Sequence, residues 1–332
     1  MFRENNQSMF KISKADKAKL YDVIVKEYGN MCGIVIVKDG NVVYRQSFNG
    51  YDMHTPIHMA SLTKSILSAL TGIAVEQGYI QSVSQKVISF FPDYEFKDQN
   101  DNREEATIEN LLNMTAPYLF VDYQEPLEAF SMSQDWVRFA LEMIDKNGTI
   151  GDFKYSTEGA HFLSAIITRI TGKSAREFAN EVLFKPVGMA EIKSHPLTAA
   201  EMSFDTLFGR DLKGWANDPQ GITTGGWGIT LTPDDMARFG LLYLNHGSWN
   251  GRQVVPKAWV TASSTTNHNH YAYLWWQLVF GNIPAFAAIG DGGNIICCIP
   301  EKQLVITIAS AFMTNPKDRR ILIGEHILPL LD

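Results

Sequence analysis

The sequence predicts an α+β fold, an antiparallel sheet assembled from N- and C-terminal strands with a helical region between them. Two observations carry this. Short strand-like apolar runs cluster near the start of the chain and again near its end, while helical periodicity fills the middle. Sheet and helices therefore segregate along the chain instead of alternating. At 332 residues the chain is read as one domain over 1–332, with a sheet subdomain of about 1–58 and 268–332 and a helical subdomain of about 59–267.

Taken in order, an amphipathic helix is expected from about Lys14 to Tyr28, stopped by Gly29-Asn30. Cys32–Val37 and Val42–Gln46 flank Lys38-Asp39-Gly40-Asn41, a hairpin signal. An apolar helix then opens at Ser61, carries Ile66, Leu67, Leu70, Ile73 and Ala74 on one face, and ends at Gly78. Thr107 caps a short helix ending near Met114, and Ser133–Ile144, Glu158–Thr171 and Ala175–Leu183 read as further helices. Thr171-Gly172-Lys173-Ser174 lacks the earlier glycine of a phosphate loop, since position 167 is Ile167, and reads as a helix stop followed by a new cap. Thr223–Gly228 is loop, and Thr232-Pro233 starts another helix. Strands return at Tyr273–Phe280, Ala285–Ile289, Ile295–Ile299 and Leu304–Ala309, and a final helix covers about Lys317–Leu328. No repeat, low-complexity tract or linker interrupts this order.

Composition narrows the function. A formal charge of −7 argues against nucleic acid or an anionic membrane surface as a main partner. No window approaches a spanning helix, and the first twenty residues lack the apolar core of a secretory signal, so a cytoplasmic setting is expected. Cys32, Cys297 and Cys298 sit in apolar runs and read as reduced core residues. The eight histidines show no metal-ligand spacing, so neither a metal nor a cofactor is expected.

Ser61-Leu62-Thr63-Lys64 carries the chemistry. Residues three apart share a helix face, so the Lys64 ammonium can reach the Ser61 hydroxyl. The positive helix end there favours developing negative charge, which is the setting a covalent serine nucleophile needs. On the tetrapeptide alone, an N-cap serine is the simpler reading, and Ser8-Met9-Phe10-Lys11 matches the same spacing. A third member is needed to move protons to a leaving group. Tyr28 and Tyr243 have ready structural explanations, whereas Tyr155-Ser156-Thr157 lies in a loop just before a helix that Thr157 would cap.

With these two motifs in this order, the chain resembles the serine β-lactamase-like hydrolases: class C β-lactamases, penicillin-binding carboxypeptidases and family VIII-type carboxylesterases. Ile108–Thr115, Leu183–Met189, Gly225–Gly228 running into Thr232–Gly240, Tyr271–Trp276 and Gly290–Pro300 extend the likeness over most of the chain. The resemblance implies a β-lactamase/penicillin-binding-protein-like fold. It also implies that Ser61 becomes acylated, that Lys64 and Tyr155 share the general-base role, and that the backbone N–H groups of Ser61 and Asp291 form the oxyanion hole. The third family motif departs from the pattern. Its lysine or histidine aligns with Ala288 and its glycine with Gly290, followed by Asp291. An anionic substrate then loses a charge-assisted contact worth about 1.5–3 kcal/mol. Thr157 also stands where β-lactamases usually show asparagine. Both changes favour small-molecule esters or amides over β-lactams, and Asp291 hints at an amine-bearing substrate. Tyr118, Phe120, Asp122 and Tyr123 are candidate substrate contacts on the loop after Thr115, with aromatic anchoring of that loop an equal reading. A true β-lactamase or D-Ala-D-Ala carboxypeptidase, and an idle ligand-binding member, are the alternatives.

Overall fold

The computed structural model describes residues 11–121, 124–197, 212–265 and 267–331. Seven strands form one antiparallel sheet. In chain order they are β1 (Met31–Lys38), β2 (Asn41–Ser47), β3 (Tyr271–Ala272), β4 (Trp275–Phe280), β5 (Ile283–Gly290), β6 (Asn294–Ile299) and β7 (Leu304–Ser310). Their spatial order is β2-β1-β7-β6-β5-β4-β3, so the N-terminal hairpin pairs with the last strand of the chain through β1 and β7. This is the closure that strands at both ends of the sequence imply.

Strand alternation divides the core into two layers. Ile34 and Ile36 of β1, with Leu304, Ile306 and Ile308 of β7, face helix α1 (Lys14–Glu27) and the C-terminal helical segment through Leu322, Ile323 and Ile327. Val35, Val37, Val305 and Ala309 face the opposite way, into the helical region. Both faces are covered, which is why β1 and β7 read as continuous apolar runs. On the helical side, helix α2 (Thr63–Glu76), helix α3 (Thr157–Thr171) and helix α4 (Pro233–Leu244) supply most of the packing. Gly240 lets α4 lie close on the sheet, since a Cβ there would sit 2.5 Å from Val305 and 2.9 Å from Ile296.

Most expected boundaries hold within one or two residues. Gly78 takes φ +77 just past α2, and Gly172 takes φ +67 at the end of α3, as helix stops. Ser174 then caps the next helix in a reciprocal box with Glu177. The structure differs at four places. The helix expected over 133–144 is confined to Trp136–Glu142 because Asp135 accepts from Arg138 N and starts it. The helix expected over 175–183 widens to a π-helical stretch at Asn180–Phe184. The final helix begins at Arg319, capped by Asp318, and also widens to π geometry over Leu322–Ile327. Lastly, β4 starts at Trp275, because Tyr273 and Leu274 take φ +47 and +64 and break the strand. Cys32, Cys297 and Cys298 are buried and free, and burial raises all three thiols, Cys32 and Cys297 to about 12. Among the described residues no helix is long and apolar enough to cross a membrane.

Candidate active site

Ser61 sits on a single 3-10 turn, Ala60–Leu62, directly ahead of α2 rather than inside it. Two hydrogen bonds fix this turn. Met59 N donates to Ile229 O, and Thr63 Oγ1 donates to Ala60 O. Ala60 holds φ +47, a left-handed conformation that costs a residue with a Cβ roughly 1–2 kcal/mol. The nucleophile candidate therefore follows a strained residue that the surrounding structure holds in place.

Lys64, in the first turn of α2, is 1% exposed. Its ammonium has three donors and uses all of them: Ser61 Oγ at 3.1 Å, Thr157 Oγ1 at 3.3 Å and Gly226 O at 2.9 Å. Burial lowers its pKa to about 8, against the opposing pull of the Glu125 and Asp291 carboxylates. The same nitrogen lies 4.7 Å from the centre of the Tyr155 ring. That ring stacks on Trp276 at 5.7 Å and meets Tyr271 edge-on at 5.9 Å. Strand alternation separates the two tryptophans: Trp275 is core, and Trp276 supports Tyr155.

Gly226 explains the glycine pair before Trp227. A Cβ there would lie 2.4 Å from Thr157 Cγ2 and 2.9 Å from Thr157 O, so only glycine brings the 226 carbonyl to Lys64. Thr157 occupies the first turn of α3 and is not its cap, correcting the sequence expectation. Ser156 takes that role, its Oγ accepting from Gly159 N at 2.8 Å. The shift frees the Thr157 hydroxyl to face Lys64.

Glu125 went unseen in the sequence. Its carboxylate accepts from Ser156 Oγ at 3.0 Å, Thr157 N at 2.8 Å and Glu158 N at 2.7 Å, so it ties the loop before it to the positive end of α3. No local signal marks it, since its partners lie more than thirty residues away. Glu158 beside it is wholly buried, and neither carboxyl oxygen has a hydrogen-bond partner among the described residues. Burial, and then the charge of Glu125, raises the Glu158 carboxyl to about 9. Tyr118 is also buried, stacked on Phe120 at 5.2 Å, with its hydroxyl against Gly159. The structure thus places Tyr118 behind α3 as an anchor of the loop, not at a surface a substrate could touch. Asp122 and Tyr123 lie outside the described residues.

The third segment reaches the site from the sheet. A Cβ on Gly290 would lie 2.0 Å from Met59 O and 3.0 Å from Leu62 N, so the end of β5 runs in contact with the Ser61 turn. Ala288, two residues back on the same face, is fully buried in the helical-side core, and no cation stands there. Asp291 follows Gly290 and is exposed. A cavity of about 550 Å³ opens between Ala60 and Asp291, walled by Tyr51, Ile57, Ile192 and Phe312. Ser61, Lys64 and Tyr155 do not line that cavity, which also carries Lys193 and Lys213; the serine hydroxyl, the buried amine and the Tyr155 ring meet beside it, next to the close-approaching end of β5.

The fold is that of the β-lactamase and penicillin-binding-protein class. The sequence model of the Beta-lactamase family matches residues 25–327, and the chain belongs to that family. No curated protein matches it. Among solved structures, it is similar to one described as a 6-aminohexanoate-dimer hydrolase from Bacillus anthracis, at TM-score 0.71 and 22% identity, covering 94% of this chain and 81% of that one. It is similar to an octameric penicillin-binding protein homologue from Pyrococcus abyssi at TM-score 0.70 and 21% identity, covering 94% and 77%. A class C β-lactamase from Rhodobacter sphaeroides aligns at TM-score 0.67 and 14% identity, covering 95% and 99%. At these identities the likeness carries the fold alone.

Proposed function

We propose that the protein is a serine hydrolase that cleaves small esters or amides through an acyl-enzyme on Ser61. One observation carries the reading: a buried lysine of lowered proton affinity donates its hydrogen bond to the Ser61 hydroxyl at 3.1 Å. With a pKa of about 8, roughly a tenth of Lys64 is neutral at pH 7. That neutral amine takes the Ser61 proton as Oγ attacks the substrate carbonyl. The Tyr155 phenol passes a proton to the departing alcohol or amine as the carbon–heteroatom bond breaks. Water, deprotonated by the same pair, then attacks the acyl-enzyme and restores Ser61. The backbone N–H groups of Ser61 and Asp291 receive the oxyanion, each worth roughly 3 kcal/mol in the transition state.

Substrate charge follows from β5. Ala288 offers no cation at the third-motif position, and Asp291 places a carboxylate next to Gly290, beside the Ser61 turn, where its charge reaches Lys64. Neutral and amine-bearing acyl groups are favoured over anionic ones, which supports an esterase or amidase over a β-lactamase or carboxypeptidase. The substrate in the description of the Bacillus anthracis neighbour, a 6-aminohexanoate dimer, is an amide whose acyl half bears an amine. A cytoplasmic setting accompanies this reading and suits three free thiols.

The test is a panel of p-nitrophenyl esters with matched butyryl, succinyl and 6-aminohexanoyl groups, with nitrocefin alongside. The reading expects the butyryl and aminohexanoyl esters to be cleaved at least tenfold faster in kcat/KM than the succinyl ester, with little nitrocefin turnover. Fast nitrocefin turnover or a preference for the succinyl ester would overturn it.

A further inference from the structure

The turn joining β5 to β6, Asp291-Gly292-Gly293, is held by its carbonyls. Asp291 O accepts from Asn294 Nδ2 at 3.0 Å, Gly292 O from Asn30 Nδ2 at 2.7 Å, and Gly293 O from Ser310 Oγ at 3.2 Å. Three consecutive carbonyls of this glycine turn are therefore tied to side chains from three different parts of the chain.

Those side chains are themselves fixed. Arg319 is 3% exposed, and its guanidinium donates to Asn30 Oδ1 at 2.5 Å, to Ser310 Oγ at 3.2 Å and to Lys317 O at 2.7 Å. Its face lies 5.0 Å from the centre of the Tyr28 ring. Gly293 has φ +94, and a Cβ there would strike Arg319 Nε at 2.7 Å, so the glycine and the arginine fit only each other. Asn30 uses its second Nδ2 hydrogen on Ala311 O at 2.7 Å, which ties the start of β1 to the end of β7. Asn294 completes the frame. Its Nδ2 also reaches His58 O at 3.2 Å, on the segment leading into the Ser61 turn.

A buried cation whose donors go to an amide oxygen, a hydroxyl and a backbone carbonyl is a costly way to stabilise a fold. What it accomplishes is orientation. Accepting at Asn30 Oδ1 forces that amide to present its Nδ2 group to Gly292, and Ser310 is turned in the same way toward Gly293. We propose that Asn30, Ser310 and Arg319 form a clamp that positions the Asp291 backbone N–H for the oxyanion, with Asn294 setting its distance from Ser61. The clamp members are positioning residues, because none of them reaches the reacting atoms. The inference rests on the reading of Asp291 N–H as an oxyanion donor.

Asn30→Asp and the milder Ser310→Ala together test the clamp. Asn30→Asp keeps the oxygen that faces Arg319 and turns that contact into an ion pair, but it removes both hydrogens that hold Gly292 and Ala311. Ser310→Ala removes the single donor to Gly293. The expected result for Asn30→Asp, assayed below its lowered Tm because the new oxygen faces the Gly292 and Ala311 carbonyls, is a kcat on p-nitrophenyl butyrate lower by roughly 10- to 100-fold and a KM within about twofold of the parent. Ser310→Ala should lower kcat about three- to tenfold. Hydrogen exchange followed by mass spectrometry on peptides spanning 288–296 should speed up at least tenfold in Asn30→Asp and leave peptides of α2 unchanged. Unchanged exchange in that segment overturns the clamp, whether or not the protein cleaves the ester. Faster exchange with an unaltered kcat overturns its role in the oxyanion site. A parent enzyme inert toward every ester would instead sink the proposed function, with the exchange data still deciding the clamp.

Discussion

Replacing Glu158 by glutamine makes the buried carboxyl behind α3 measurable. The side chain is fully buried, neither oxygen has a hydrogen-bond partner among the described residues, and the Glu125 carboxylate next to it is held by three donors. Glu158 is therefore protonated in the folded protein, with its carboxyl raised from 4.5 to about 9. In the unfolded chain it loses its proton near the ordinary value. The sign follows from linkage: between about 4.5 and 9 the unfolded state binds fewer protons than the folded one, so stability falls as pH rises. The slope approaches 1.4 kcal/mol per pH unit, so over the window from pH 5 to 8 this group alone removes up to about 4 kcal/mol. Glutamine resembles the protonated acid in shape and does not titrate. Urea unfolding of the parent and of Glu158→Gln at pH 5, 6.5 and 8 should give variants of near-equal stability at pH 5, diverging in favour of glutamine by up to about 4 kcal/mol at pH 8. Parallel pH dependences would refute the reasoning.

Three other outcomes follow from the same geometry. The pH profile of kcat/KM should rise with pH to a plateau above about 8 as Lys64 loses its proton, and Asp291→Asn should move that limb lower, because the Asp291 charge favours the ammonium. Gly226→Ala drives a Cβ into Thr157 and should cut kcat at least 100-fold by withdrawing the carbonyl from Lys64, read by steady-state kinetics beside a Tm control. Gly240→Ala should cost about 1–3 kcal/mol by forcing α4 off Val305 and Ile296, with KM unchanged, as checked by denaturant unfolding.

What the sequence disclosed depended on whether the determinant was local. The Ser61–Lys64 pair is legible because residues three apart on a helix must meet, and the structure keeps them at 3.1 Å even though Ser61 lies on the turn ahead of the helix. The helix start at 156–157 was misplaced by one residue because serine and threonine cap almost equally well, and only the tertiary pull of Lys64 on Thr157 decides between them. The glycine pair before Trp227 reads as loop, whereas Gly226 serves a contact with Thr157 that no periodicity encodes. Glu125 and the Asn30–Arg319 frame stayed hidden for the same reason. Their partners are dozens to hundreds of residues away, as with the 289-residue span from Asn30 to Arg319.

The central claim is that Ser61 carries the acyl group. Intact-mass analysis of the parent and of Ser61→Ala during turnover of p-nitrophenyl butyrate tests it most directly. The account predicts one butyryl group on the parent, mapped to the peptide containing Ser61, and neither adduct nor turnover in Ser61→Ala. An adduct on another residue, or turnover that survives in Ser61→Ala, would contradict it.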